Sequence, residues 1–314
     1  MNWLDHTRLH VVEPHEVNFS NDAFRIPNYS DSTALRESIR RMGILNRPVV
    51  QEHASDGIVT VLGRRRLQAA VDLGVREVQV LVVSADMPVS DGFILAFMDN
   101  AAHRSFDAAS TAVIVKRLLG LFPIETVARE YLPVLGVPPI GPRLERLRRL
   151  GGLEERALKL LALGRISEKT AVVLTQMDPR NRSLLLDVLD NLGMNANKNA
   201  EIVEYLFDLS ICEGRELSGL IQDGPFREVL ADRDVPAPER ARRFRDLVRA
   251  RKFPELVEKE REFREWYAGL PLAPGTTVRP AQSFENGECT IEIRVSDRAA
   301  AGGVVEALSA RFPK

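Results

Sequence analysis

Val59-Thr60-Val61-Leu62-Gly63-Arg64-Arg65-Arg66-Leu67-Gln68-Ala69-Ala70 is the stretch on which the fold turns. A β-branched run favours a buried strand, and Gly63 permits a backbone conformation that a side chain resists. From Leu67 the pattern Leu-Gln-Ala-Ala-Val-Asp-Leu suits an amphipathic helix. A strand–glycine–helix junction presents free N–H groups, and three arginines at the turn add fixed positive charge and forked donors. The junction reads as an anion site, most naturally for phosphates. The competing reading is three solvated arginines at a helix start, an unfavourable place for cations because the helix dipole is positive there.

The flanks read as a small mixed α/β domain. Residues up to about 30 alternate short apolar groups with Pro14, Asn21, Asp22, Pro27 and Asn28, which predicts short strands and loops. Asp31-Ser32-Thr33 is expected to cap a helix through Met42, with Leu35, Ile39 and Met42 on one face and Arg36, Arg40 and Arg41 facing away. Gly43 ends it. Asp56-Gly57 signals a hairpin between strands at 49–51 and 58–62, Gly74 stops the helix after the arginines, and Val78-Gln79-Val80-Leu81-Val82-Val83 is a further strand.

The chain has 314 residues, 45% of them hydrophobic and 28% charged, the balance of an ordinary protein with a real core and room for two or three domains. The formal net charge of −1 excludes a protein that coats nucleic acid through its bulk field, so any DNA contact has to come from a local patch. No apolar run approaches the roughly 20 residues of a membrane span. The start Met1-Asn2-Trp3-Leu4-Asp5-His6 lacks the features of a signal peptide, and Cys212 and Cys289 are too far apart to suggest a disulfide framework, so a cytoplasmic location is expected. His6, His10, His15, His53 and His103 form no H-x-x-x-H pair, which disfavours a zinc enzyme.

The order helix, Gly43-Ile44-Leu45-Asn46-Arg47-Pro48-Val49-Val50, Asp56-Gly57, strand, Leu62-Gly63-Arg64-Arg65-Arg66-Leu67-Gln68-Ala69-Ala70, strand resembles the N-terminal domain of the ParB family. That domain also occurs in sulfiredoxins and in some ParB-like nucleases and kinases. In ParB partition proteins the box G-E-R-R-x-R-A binds the triphosphate of CTP. Gly63, Arg65, Arg66 and Ala69 match it, whereas Arg64 replaces the glutamate and Gln68 an arginine. Asn46 falls where the family usually has glutamine beside the base, and Arg47 replaces a proline. The sulfiredoxin branch needs a cysteine in this box, which is absent. Asp99-Asn100 resembles the start of the family's E-N-x-x-R, with Arg104 one residue late. The resemblance implies a nucleotide site of Asn46, Gly63, Arg64, Arg65, Arg66, Asn100 and Arg104, with Asp99 as the catalytic residue and the Mg²⁺ ligand by way of the nucleotide. A bare alternative is that Asp99-Asn100 caps the next helix.

Residues 107–208 read as helical and resemble the ParB middle domain. Ile124-Glu125-Thr126-Val127-Ala128-Arg129-Glu130-Tyr131 is similar to the first helix of a helix-turn-helix, and Arg143-Leu144-Glu145-Arg146-Leu147-Arg148-Arg149-Leu150 to the second. The proline-rich connection between them exceeds the usual turn of about three or four residues, so the motif is degenerate. Arg143, Arg146, Arg148 and Arg149 are the DNA-binding candidates; otherwise they are a solvated face balanced by Glu145, Glu154 and Glu155. Residues 209–235 look like a connecting region with short helices. Residues 239–267 form a charged helical stretch broken at Lys252-Phe253-Pro254, solvated or self-associating. The span 271–280 reads as loop, Cys289-Thr290-Ile291-Glu292-Ile293-Arg294-Val295 as a strand and 297–312 as a closing helix. That last unit resembles the ParB dimerisation unit, but could equally dock on the chain's own helices.

The predicted architecture is thus α+β in three parts: a small ParB-like α/β domain (1–105), an all-helical domain with a degenerate helix-turn-helix (106–235), and charged helices with a C-terminal strand-plus-helix unit (236–314). The resemblance implies a nucleotide-dependent DNA-partition or DNA-organising protein, with CTP and Mg²⁺ as cofactors, double-stranded DNA as partner, a homodimer, and a partition ATPase alongside. Slow CTP hydrolysis belongs to the same expectation. The alternative is an enzyme on the same fold, a nuclease or phosphotransferase, using Asp99 with Mg²⁺ and His103 as base.

Overall fold

The computed structural model describes residues 7–53, 55–139, 141–272, 275–281, 284 and 287–311. The start at residues 1–6, Ile140 and Phe312 lie outside them. The chain separates into two compact units, residues 1–204 and 205–314.

The first unit begins with a four-stranded sheet. Its strands are β1 (Arg8–Val12), β2 (Val49–His53), β3 (Gly57–Leu62) and β4 (Val78–Val83). Their order is β1-β4-β2-β3, with β4 and β2 parallel and both outer pairs antiparallel. The valine-rich β4 sits inside because both its faces are covered. Val78, Val80 and Val82 pack with Val12, Val50, Leu67 and Ala70 on one face, while Val83 joins Phe24, Val49, Val59, Val61 and Ala96 on the other. Those two clusters dock α2 (Arg64–Asp72) and α3 (Val89–His103) on opposite faces. Gln51, fully buried, donates to the carbonyls of Ser84, Ala85 and Met87 and so fixes the turn that launches α3.

The predicted helix over Thr33–Met42 is present as α1, and Gly43 leaves it with φ 72°. Two details differ from the expectation. Met42, the last residue of the helix, is 61% exposed. Arg36 turns inward to Asp72 of α2 at 3.5 Å rather than away. The α3 backbone passes so close over Phe24 that a Cβ at Gly92 would lie 2.4 Å from its ring. Gly92→Ala is therefore expected to destabilise the protein by roughly 1–3 kcal/mol through overpacking, read as a lower urea midpoint with an unchanged m-value.

A helical layer follows: α4 (Ala108–Leu121), α5 (Ile124–Thr126), continued by a π-helical turn at Val127–Tyr131, then α6 (Pro142–Leu150), α7 (Glu155–Ala162), α8 (Glu168–Thr175) and α9 (Pro179–Leu192). The apolar α4 is its centre. Leu144, Leu147 and Leu150 of α6 are all buried, as their three-residue spacing predicts, and α6 packs on α4. Between Tyr131 and α6 the chain makes turns through Gly136. Asp107, not Asp99 or Asn100, caps α4, accepting from Ser110 N at 2.9 Å. The capping alternative for Asp99-Asn100 is thereby overturned: both lie inside α3.

Helix α10 (Ala196–Cys212) carries the chain from the first unit into the second. There follow α11 (Leu217–Ile221), α12 (Gly224–Ala231), α13 (Ala237–Lys252), α14 (Pro254–Ala268), β5 (Thr276–Pro280), β6 (Cys289–Ile293) and α15 (Arg298–Arg311). The break between α13 and α14 falls at Phe253, ahead of Pro254, where the sequence places it. Helix α13 is not a wholly solvated face: Arg240 is 7% exposed and donates to Val235 O, beside buried Ala241, Phe244 and Val248. Helix α14 buries no residue. The span read as loop contains β5, paired antiparallel with β6 from Thr276–Ile293 to Pro280–Cys289. Flanking prolines and Gly275 hid a short β-branched strand.

Candidate nucleotide site

Helix α2 starts at Arg64, three residues earlier than its apolar pattern suggests, because Gly63 takes a left-handed conformation (φ 84°, ψ 22°) that ends β3 and opens the helix in one step. Three consecutive arginines are thereby set on the first helical turn. They line a cavity of about 440 Å³, within the range of roughly 300–1,000 Å³ usual for small-molecule sites. Its walls come from β3 (Thr60–Leu62), α2 (Arg64, Arg65, Arg66, Gln68), α3 (Ala96, Asp99, Asn100), α1 (Leu35) and the preceding loop (Phe24, Arg25, Ile26, Asn28).

Of the residues the sequence singled out, Gly63, Arg64, Arg65, Arg66, Asp99 and Asn100 come together on this cavity. Asn46 and Arg104 adjoin it. The carbonyl of Asn46 accepts from Arg66, while Arg104 Nε donates to Asn100 Oδ1 at 3.1 Å and its Nη2 to Pro27 O at 2.6 Å. Arg143, Arg146, Arg148 and Arg149 lie elsewhere, on α6. His103 is exposed, with Nδ1 2.7 Å from the Asp99 carbonyl, and does not line the cavity. Arg25, Phe24, Ile26, Asn28, Leu35 and Thr60 are lining residues that sequence reasoning missed. They sit in a loop, a helix and a strand whose patterns speak only of folding.

The cavity is electropositive. Arg65 donates to Ser30 Oγ and to the carbonyls of Ser30 and Asp31 at 2.7–3.2 Å, and Arg66 donates to the Asn46 carbonyl. Among the described residues neither has a carboxylate within ion-pair distance; Arg64 has Asp22 at 3.2 Å. Burial pushes the Arg64, Arg66 and Arg104 guanidinium groups down, partly offset by Asp22, Asp99 and Asp107 respectively. Arginine nonetheless stays protonated, so the site holds partly desolvated positive charge that an anion would stabilise. Thr60 Oγ1, on the wall, is buried and has no hydrogen-bond partner.

Among the described residues Asp99 is the one carboxylate on the lining. Among the described residues no cluster of three or more His, Cys, Asp or Glu side chains could hold a metal by itself. This donor set fits Mg²⁺ of the kind held by one carboxylate together with substrate phosphates, rather than a dedicated protein cage.

On α6, Arg148 grips Glu145 through two bonds of 2.9 Å and Arg149 adds one of 3.1 Å, which holds the Glu145 carboxyl down at about 2. Glu154 and Glu155 do not balance this face: they pair with Arg182 and Arg25. Arg143 and Arg146 are exposed without an ion pair among the described residues. The helix thus keeps a net positive surface.

Residues 6–94 match the family described as the ParB N-terminal domain. The probable chromosome-partitioning protein ParB of Campylobacter jejuni is 25% identical over 206 residues, covering 65% of this chain and 71% of that one. Among solved structures, the C-terminally truncated ParB of Caulobacter crescentus complexed with CTP-gamma-S is 16% identical over 58% of this chain and 98% of its own, at a TM-score of 0.26. A Pnob8-like ParB-N domain is 15% identical over 81% and 97%, at a TM-score of 0.37. Scores this low add no weight, and the assignment rests on the sequence matches. Residues 6–94 are thus similar to a ParB N-terminal domain, and the arginine box lies inside that matched region. Among the described residues no helix is long and apolar enough to cross a membrane.

Proposed function

We propose that the chain is a nucleotide-dependent partition or DNA-organising protein whose ligand is CTP. The observation that carries this reading is the cavity at the start of α2, where Gly63, Arg65 and Arg66 meet Asp99 and Asn100. Phosphates would lie on Arg65, Arg66 and the first free N–H groups of α2. Asp99 would hold a Mg²⁺ bound with those phosphates; the ion would neutralise phosphate charge that the arginines leave uncompensated. The nucleoside would extend toward Phe24, Ile26 and Leu35. The reading draws further support from the curated relative, which is described as a probable chromosome-partitioning protein. The three-part division at 105 and 235, the homodimer formed through the C-terminal unit, the cytoplasmic location and the ATPase partner belong to the same proposal. A thermal-shift panel tests it. CTP with Mg²⁺ is expected to raise the melting temperature more than ATP, GTP or UTP at equal concentration, because only a ligand of the folded state stabilises it by mass action. Equal shifts for all four would remove the CTP assignment.

DNA would meet α6. Arg143 and Arg146 are free to take phosphates, whereas Arg148 and Arg149 must first release Glu145. The Arg143→Ala, Arg146→Ala double variant is therefore expected to flatten the slope of log affinity against log salt by about two, read by fluorescence anisotropy of a labelled duplex. An unchanged slope would place the contact elsewhere. Of the two residues the enzyme alternative uses, Asp99 lines the cavity and His103 does not.

A further inference from the structure

Residues 18–31 have no regular secondary structure, yet they form one wall of the cavity through Phe24, Arg25 and Asn28. An irregular segment of this length opens easily unless other parts of the chain hold it. Besides Arg65 on Ser30 and Asp31 and Arg104 on Pro27, two further groups of side chains do so. From α2, Arg64 donates to the carbonyls of Phe19 and Asn21, lies 3.2 Å from the Asp22 carboxylate and covers the Phe19 ring. From the helical layer, Arg117 of α4 donates to the carbonyls of Asp22 and Ala23 at 2.8 and 2.7 Å, and Ser110 Oγ donates to Pro27 O at 3.1 Å. Glu155 of α7 pairs with Arg25 at 2.5 Å. The segment is thus clasped on two sides, by α2 and by helices that begin after the matched ParB region ends.

We infer that Arg64 and Arg117 are positioning residues, which hold residues 18–31 as a strap so that the cavity becomes competent only when the helical layer is docked. Arg64 stands where ParB proteins carry glutamate. Unlike Arg65, whose bonds to the strap go to neutral oxygens, Arg64 also faces the Asp22 carboxylate, so it shapes the wall rather than binding phosphate. Arg117 does not line the cavity at all. It touches the strap directly, and its guanidinium also rests on the ring of Phe93 in α3, 5.2 Å from the centroid. The inference rests on the proposed nucleotide site for its binding consequences, but its structural half stands alone.

The test uses the full chain with Arg64→Ala, Arg117→Ala and Arg117→Lys. The lysine variant keeps the charge and the stem but loses the fork that serves two carbonyls. Hydrogen exchange on the ligand-free protein is expected to speed up at least tenfold across 18–31 in each variant, with the amides of β2 and β4 unaffected. Calorimetry is expected to show CTP and CDP losing affinity by the same factor, at least fivefold, since a displaced wall weakens both nucleotides alike. Unchanged exchange across 18–31 in Arg64→Ala and Arg117→Lys would overturn the strap. A loss tenfold greater for CTP than for CDP in Arg64→Ala would also overturn it, by making Arg64 a phosphate ligand. If the unaltered chain binds neither nucleotide, the proposed function fails, and the exchange comparison alone decides the strap.

Discussion

The Arg65→Ala, Arg66→Ala double variant is expected to lose nucleotide binding altogether while keeping its circular dichroism spectrum. Both side chains line the cavity, and their present bonds go to neutral oxygens of Ser30, Asp31 and Asn46. A phosphate offers each a charge-assisted bond, and such bonds contribute about 1.5–3 kcal/mol apiece. Losing two amounts to roughly 3–6 kcal/mol, or about a hundredfold to ten-thousandfold in affinity. The fold depends little on them. Leu67, Ala69 and Ala70 are the residues of α2 that are buried in the core, and the arginines contribute only the bonds just named. A stability change on the order of 1 kcal/mol is expected, as for substitutions outside the core. Arg65→Lys with Arg66→Lys is a useful companion: it keeps the charge but removes the fork, and should recover only part of the affinity.

Gly63→Val is expected to damage both the fold and the site. The left-handed conformation at φ 84° costs a side-chain-bearing residue about 1–2 kcal/mol, and a β-branched side chain sits there worst of all. A Cβ at this position would lie 3.0–3.1 Å from the guanidinium atoms of Arg66, so that group must give way, and the two methyls of valine push it further from its place beside the cavity. The measurements are a urea melt and a CTP titration. The melt should show a loss of roughly 2 kcal/mol, combining backbone strain with displacement of Arg66. The titration should show at least a tenfold loss of affinity at a temperature where the variant remains folded. Gly63→Ala should follow the same direction with smaller changes. A variant that is destabilised but binds CTP normally would mean that Arg66 lies outside the phosphate site.

The parts of this structure that the sequence announces are those governed by local rules. The valine-rich β4, the hairpin at Asp56-Gly57 and the glycine that opens α2 each follow from a two- or three-residue preference, as do the buried leucines of α6. The meeting of the arginine box with Asp99-Asn100 is of another kind: the family resemblance implied it, and no local rule brings residue 64 to residue 99. The rest depends on partners distant in the chain. Arg64 bonds residues 42–45 positions before it, and Arg117 bonds residues about 95 positions before it. No periodicity marks either contact. For the same reason Glu154 and Glu155 look like counter-charges to α6, although their partners are Arg182 and Arg25. Strand β5 was missed because Pro271, Pro274, Gly275 and Pro280 read as loop punctuation, while pairing with β6 is what makes Thr276-Thr277-Val278 extended.

Calorimetric titration of the intact chain with CTP and Mg²⁺ tests the central claim most directly. The account predicts saturable heat with one nucleotide per chain, absent from the Arg65→Ala, Arg66→Ala variant. No heat with CTP, ATP, GTP or ADP at millimolar concentration would contradict it.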